Sequence, residues 1–168
     1  MITITKKDRA LMVAELVHKG QTYDIYPYAY HVKRVAEIAE ILGFDEEIVI
    51  GCILHDVLED THLSFNDIKK AFGKNIAEIV FCVTDELGRN RTEKHAKTYP
   101  KIRGNWKATA VKICDRIANT IQSKEYNKDK FLMYKNEYAE FRNAIQCTEH
   151  PIDVLKAWEY LERIMEAE

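Results

Sequence analysis

Glycine and proline are scarce in this sequence, with six and three residues respectively among 168. Together with 46% hydrophobic and 31% charged residues, this scarcity is typical of a compact helical protein and argues against a disordered chain. A chain of this length can bury a core without disulfides or a structural metal. We therefore expect residues 1–168 to form a single domain.

The sequence also lacks closely spaced cysteines, long apolar runs and a strong excess of either charge. Its cysteines, Cys52, Cys82, Cys114 and Cys147, form no Cys-x-x-Cys pair, which excludes a zinc ribbon and indicates reduced thiols. No apolar run is long enough for a signal peptide or a bilayer span, so we expect a cytoplasmic protein without a membrane partner. A net charge of −2 argues against a stable nucleic-acid complex.

Apolar residues recur at intervals of three or four along most of the chain, which predicts amphipathic helices. Thr5 and Asp8 have the spacing of a helix capping box, and Asp45 is expected to cap an apolar central helix. No segment predicts a convincing strand, and the basic residues 89–103 predict a loop or a frayed helix. The sequence thus predicts an all-α bundle that ends with two helices within residues 128–167.

Segment 55–61 places one histidine and three carboxylates within less than two turns of a predicted helix. At about 3.6 residues per turn, His55 and Glu59 would share one face, and Asp56 and Asp60 a neighbouring face. Burying these groups together is costly unless a cation or hydrogen bonds compensate. The segment therefore predicts a metal site, with a charged helix end as the structural alternative.

Two further residues are candidates for completing this site with His55 and Asp56. His31 lies in the first turn of the second predicted helix, and Asp115 lies where a polar and an apolar helix face adjoin, as in a cavity wall. Two imidazoles and two carboxylates suit Mn²⁺, Fe²⁺ or Zn²⁺ with open positions for water or phosphate. Taken alone, His31 could be an ordinary partly buried histidine. Asp115 could simply form an ion pair with Lys112 or Arg116.

The order of one His, a His-Asp pair and a later Asp resembles the HD-domain phosphohydrolases. A more specific likeness is to the hydrolase domain of the RelA/SpoT proteins and to the small Mesh1-like alarmone hydrolases. It spans about residues 5–125 and rests mainly on four segments: His18-Lys19-Gly20-Gln21-Thr22, Pro27-Tyr28-Ala29-Tyr30-His31, Leu54-His55-Asp56-Val57-Leu58-Glu59-Asp60-Thr61, and Val111-Lys112-Ile113-Cys114-Asp115-Arg116-Ile117-Ala118-Asn119.

This resemblance implies an HD-fold helical bundle that removes the 3′-pyrophosphate of guanosine tetra- or pentaphosphate. It implies Mn²⁺ as the cofactor, with Fe, Zn, Ni or Co as alternatives in a purified sample, held by His31, His55, Asp56 and Asp115. Glu59 and Asp60 would orient or deprotonate the attacking water, and Asn119 would contact the ribose or the 3′ side. The candidates for holding the other phosphates are basic: Lys112, Arg89, Arg91, Lys94 and Lys101.

The loop before His31 departs from the family pattern. Alarmone hydrolases usually place an Arg there to hold the guanine nucleotide, whereas residues 21–26 contain none. Tyr23 or Tyr26 could stack on a base instead, and an aromatic face accepts any base. The alternatives left open are a 5′-nucleotidase or other nucleotide phosphatase or phosphodiesterase, and a non-catalytic nucleotide-binding module. A small nucleotide is the expected partner, and a homodimer is left open.

Overall fold

The computed structural model describes residues 3–146 and 151–167, and its architecture there is almost entirely helical. The helices are α1 (Lys6–Val17), α2 (Ala29–Ile41), α3 (Glu46–Leu54), α4 (Val57–Asp60), α5 (Phe65–Phe72), α6 (Lys74–Val83), α7 (Arg91–Arg103), α8 (Trp106–Tyr126), α9 (Lys128–Ile145) and α10 (Ile152–Glu166). This confirms the predicted all-α fold. A short antiparallel hairpin, β1 (Thr22–Tyr23) with β2 (Tyr26–Pro27), was not predicted.

The helix starts follow the side-chain caps that the sequence indicates. Thr5 and Asp8 form a reciprocal capping box on α1, and the Asp45 carboxylate accepts a hydrogen bond from the Ile48 N–H at 3.0 Å. Such caps satisfy backbone donors that a helix start leaves unpaired. Three cysteines within the described residues carry free thiols, and Cys147 lies outside those residues.

The expectation of a loop or frayed helix over residues 89–103 is wrong. Most of this segment forms α7, whose first turn is capped by the Asn90 side chain. Tyr99 and Ile102 are three residues apart and buried, so they give the helix one narrow apolar face. The many basic residues of this segment obscured the helical spacing of its few apolar side chains in the sequence.

The longest helix, α8, lies at the centre of the bundle and contacts α2, α3, α6, α7, α9 and α10. Helices α2 and α3 also contact each other, so these two and α8 form a mutually packed trio. Between α9 and α10, the fully buried rings of Phe141 and Trp158 meet at 5.5 Å between centroids. None of the described helices combines the length and the apolar character needed to cross a membrane.

Gly51 allows α3 to approach its two neighbours closely. A Cβ atom at this position would lie 2.9 Å from Cγ2 of Ile79 and 3.0 Å from Cγ2 of Val111. Both distances are shorter than normal carbon contacts. The missing side chain therefore brings the end of α3, where His55 follows, close to α8, which carries Asp115.

We expect Gly51→Ala to lower the free energy of unfolding by about 1–3 kcal/mol, because the added methyl overpacks a filled core. Equilibrium urea denaturation measures this change. Gly104→Ala is the control, since a Cβ at Gly104 would meet nothing closer than 3.5 Å. Equal effects of the two substitutions would contradict the packing explanation.

Candidate metal centre

The helix carrying the charged segment is interrupted at the segment itself. Helix α3 ends at Leu54, and α4 begins at Val57. Between them Asp56 has φ −100° and ψ −2°, close to the sparsely populated bridge region. The expected stacking of His55 over Glu59 on one continuous helix is therefore wrong. The break instead turns His55 and Asp56, although adjacent in sequence, towards one point, with His55 Nε2 2.9 Å from Asp56 Oδ2.

Side chains from three separate segments converge at this point. His31 on α2, His55 and Asp56 each offer an atom within 4.8 Å of the others. Asp115 on α8 completes the group, with its Oδ1 atom 3.2 Å from His31 Nε2 and 3.6 Å from His55 Nε2. Both histidines are 3% exposed, so the cluster faces little solvent. The mutual packing of α2, α3 and α8 brings these four predicted ligands together.

The hydrogen bonding of His55 leaves one ring nitrogen for a ligand role. Nδ1 lies 2.7 Å from the Cys52 carbonyl oxygen, which can only accept, so this nitrogen carries the proton. Nε2 is buried and makes no geometrically acceptable hydrogen bond within the described part of the chain, despite its proximity to Asp56. A buried nitrogen lone pair without a donor is costly. This arrangement is typical of a metal-bound histidine.

The distances within the cluster fit a divalent ion. Nitrogen and oxygen ligands lie about 2.1 Å from such ions, so two ligands at right angles are separated by about 3.0 Å. The three imidazole to carboxylate distances, 2.9, 3.2 and 3.6 Å, lie near this value. Both the donor set and its spacing therefore suit a metal.

The electrostatics of the cluster also favour a cation. Burial raises the pKa of Asp115, but the charge of Lys112 and the His31 hydrogen bond outweigh it and hold that pKa well below its usual value. Burial lowers the pKa of His55, and the charges of Asp56 and Asp115 reverse this and raise it to about 9, so without an ion a proton occupies Nε2, and a bound cation would displace it. The centre thus holds two ionised carboxylates and attracts positive charge.

The two carboxylates proposed for catalysis lie on α4, directly after the ligand pair. Glu59 Oε2 accepts a hydrogen bond from the Asp85 N–H at 3.1 Å. Partial burial, with the charges of Asp85 and Asp56, raises the pKa of Glu59. Partial burial and the charge of Asp56 likewise raise the pKa of Asp60. Both side chains remain open to solvent, where a water or a substrate can reach them.

Two residues predicted to bind substrate, Tyr23 and Asn119, lie against the centre. The Tyr23 ring stacks on His31 with 4.4 Å between centroids, and its hydroxyl donates to Asn119 Oδ1 at 2.7 Å. Asn119 in turn donates to Asp115 Oδ1 at 2.5 Å. Tyr23 therefore contacts the ligand residue His31, and Asn119 contacts the ligand residue Asp115.

The predicted phosphate-binding residues divide into two groups. Lys112 Nζ lies 3.4 Å from Asp115 Oδ2, and the charge of Lys94, on α7, acts against the burial that raises the pKa of Asp60. The other three have partners elsewhere: Arg89 binds Glu93, Arg91 binds Glu137, and Lys101 binds Glu86 and the carbonyl oxygens of Phe81 and Thr84.

A pocket of about 310 Å³ lies between α7 and α9. Its lining includes Arg91, His95, Tyr99 and Glu137. Burial and the charge of Arg91 lower the pKa of His95 to about 4, so the imidazole in the pocket is neutral near pH 7.

Sequence reasoning missed two residues that touch the centre. The Tyr28 hydroxyl donates a hydrogen bond to Asp56 Oδ2, and Gln21 Nε2 donates to the Asp60 carbonyl oxygen at 2.9 Å. Both lie in segments that carry the family resemblance. The spacing of Tyr28 three residues before His31 was a signal that could have identified it.

Both the sequence and the fold resemble known proteins. Residues 10–129 match the family described as HD domain. The bifunctional (p)ppGpp synthase/hydrolase SpoT of Escherichia coli K12 is 33% identical over 124 residues, which cover 69% of this chain and 18% of that protein. The guanosine-3′,5′-bis(diphosphate) 3′-pyrophosphohydrolase MESH1 of Drosophila melanogaster is 32% identical over 96 residues, which cover 55% of this chain and 54% of that protein. The chain spans only part of the length of either relative.

Solved structures give a similar result. A metazoan ortholog of SpoT that hydrolyses ppGpp matches with a TM-score of 0.77 and covers 97% of both chains at 22% identity. The protein lmo0812 of Listeria monocytogenes EGD-e matches with a TM-score of 0.65 at 26% identity and covers 84% of this chain and 97% of that chain. At 22% identity, the first likeness demonstrates a shared fold and no more.

Proposed function

This chain belongs to the HD-domain family, and on that premise we propose that it is a metal-dependent nucleotide phosphohydrolase that removes the 3′-pyrophosphate of guanosine tetra- or pentaphosphate. The observation that carries the proposal is the convergence of His31, His55, Asp56 and Asp115 beside two solvent-accessible carboxylates. The names of the relatives support the choice of substrate.

We propose Mn²⁺ as the ion because a mixed set of imidazole and carboxylate ligands suits it, although Fe, Zn, Ni and Co ions accept the same donors. When bound, such an ion lowers the pKa of water and neutralises phosphate charge. The four ligand residues hold it at the junction of α2, α3 and α8. Their own ionised carboxylates match its charge.

The residues around the ligands then have separate tasks. Glu59 accepts the proton of the attacking water, and Asp60 orients that water. The bond between water oxygen and phosphorus forms while the bond from phosphorus to the 3′ oxygen breaks, so pyrophosphate leaves. Glu59 then gives the proton that it took from water to the 3′ oxygen, which leaves as a hydroxyl group. Lys112, which lies beside Asp115, binds the phosphate oxygens, and Lys94 binds them from α7.

We propose that the phosphate arrangement, more than the base, selects the substrate. The loop before His31 offers Tyr23 and Tyr26 in place of an arginine. The Tyr23 ring is half-buried against His31, so it can contact the sugar or the base of a bound nucleotide while accepting different bases. Asn119 lies beside it, where it can reach the ribose.

The test is incubation of the purified protein with Mn²⁺ and a panel of nucleotides, with separate assays for pyrophosphate and orthophosphate. We expect pyrophosphate from guanosine tetraphosphate, and no product after treatment with a chelator. Guanosine and adenosine tetraphosphates should both react. Orthophosphate from 5′-monophosphates would instead indicate a nucleotidase, and nucleotide binding without any product would indicate a binding module.

A further inference from the structure

The hairpin segment 21–28 surrounds the candidate metal centre and is attached to it by side chains. At its start, Gln21 Nε2 donates to the Asp60 carbonyl oxygen at 2.9 Å. At its tip, Asp24 accepts a hydrogen bond from Gln122 on α8 at 3.1 Å. The backbone N–H of Tyr28 closes the segment by donating to the Gln21 carbonyl oxygen at 3.1 Å. The hairpin is therefore held to α4 and to α8, which carries Asp115.

Two tyrosines of this segment are each connected by hydrogen bonds to a different carboxylate ligand. Tyr28 donates directly to Asp56 Oδ2. Tyr23 donates to Asn119, which donates to Asp115. The two tyrosine rings meet edge to face at 6.5 Å between centroids, so they pack as one unit.

The setting of Tyr28 fixes both its position and its role as a donor. Its ring stacks on the buried His18 ring with 4.6 Å between centroids. His18 Nδ1 lies 2.8 Å from Gln21 Oε1, which fixes the imidazole in turn. A phenol is neutral near pH 7, so the Tyr28 hydroxyl can donate to Asp56. A neutral hydroxyl held in this way can orient one oxygen of Asp56.

We propose that Tyr28, assisted by Tyr23, is a positioning residue that orients the carboxylate ligands and thereby sets the affinity of the centre for its ion. This inference rests on the proposed function, because it assumes that the four ligand residues bind a divalent metal. Outer-shell hydrogen bonds fix the orientation of metal ligands, and their loss commonly lowers metal affinity about 10- to 100-fold.

The test compares Mn²⁺ affinity in the absence of nucleotide, measured from the free Mn²⁺ signal by electron paramagnetic resonance. We expect Tyr28→Phe to weaken binding about 10- to 100-fold, and Tyr23→Phe, which is one hydrogen bond further away, about two- to tenfold. Tyr126→Phe is the control, because Tyr126 is an exposed tyrosine at the end of α8 that has no assigned role. It should change the affinity less than twofold, a difference of about 0.4 kcal/mol.

Circular dichroism and thermal unfolding of the metal-free variants separate a folding defect from a positioning role. A folded Tyr28→Phe variant with wild-type Mn²⁺ affinity would overturn the inference while leaving the centre intact. A wild-type protein that binds no Mn²⁺ would instead remove the proposed function. If Tyr28→Phe fails to fold, the folded Tyr23→Phe variant decides, since unchanged affinity there would equally contradict the positioning role.

Discussion

Replacing Asp56 with alanine is expected to abolish retention of the divalent ion. Asp56 contributes a carboxylate oxygen 2.9 Å from His55 Nε2 and keeps its negative charge, because the charge of the neighbouring His55 outweighs burial and lowers the pKa of Asp56. Loss of an outer-shell partner costs about 10- to 100-fold in metal affinity, so loss of a ligand should cost at least about 100-fold. Metal analysis after gel filtration, together with Mn²⁺ titration, measures the loss.

A second substitution separates the charge of Asp56 from its volume. Asp56→Asn keeps an oxygen that can accept the Tyr28 hydrogen bond but removes the negative charge. This variant should therefore also lose most of its affinity for the divalent ion. Asp129→Ala, which removes an exposed carboxylate in the first turn of α9, should retain the metal. Wild-type metal content in folded Asp56→Ala would mean that the ligand set is misassigned.

Replacing Glu59 with glutamine is expected to lower kcat about 10²- to 10⁴-fold while the metal stays bound, because positioned general bases contribute acceleration of this size. The amide can still accept the hydrogen bond from the Asp85 N–H, so the local backbone has no reason to move. Glutamine cannot accept the proton from water at neutral pH. Steady-state kinetics on the nucleotide that wild type hydrolyses, with metal content measured in parallel, test this.

The KM value and a control substitution localise the effect of Glu59. KM should change little, because Glu59 is assigned no contact with the nucleotide before the reaction. Glu46→Gln, an exposed residue in the first turn of α3, should leave kcat unchanged. Full activity of Glu59→Gln with a normal metal content would remove Glu59 from the mechanism and leave Asp60 as the remaining candidate on α4.

The fold was largely predictable because helix periodicity and caps are local signals. Thr5 and Asp45 cap their helices as their spacing indicates. The interruption between α3 and α4 was not predictable in the same way, because neither glycine nor proline marks it. Residues 54–57 show no local sequence conflict with a helix, and the side chains that meet at the break come from distant segments.

The site was predictable to the extent that its residue types are unusual in an apolar setting. The two histidines and two carboxylates stand out, and the packing of α2, α3 and α8 brings them together. The basic residues were harder to assign, since Lys101 and Lys112 look alike in sequence. Only the structure reveals that Lys101 binds Glu86 whereas Lys112 lies beside Asp115. Partners of this kind are set by tertiary contacts that no local pattern records.

The most direct test of the account is an anomalous difference map from crystals of the protein grown with Mn²⁺. We expect one strong peak about 2.0–2.3 Å from Nε2 of His31, Nε2 of His55 and an oxygen atom each of Asp56 and Asp115. A crystal of protein that binds Mn²⁺ in solution but shows no peak among these four side chains, or a peak held by other residues, would contradict it.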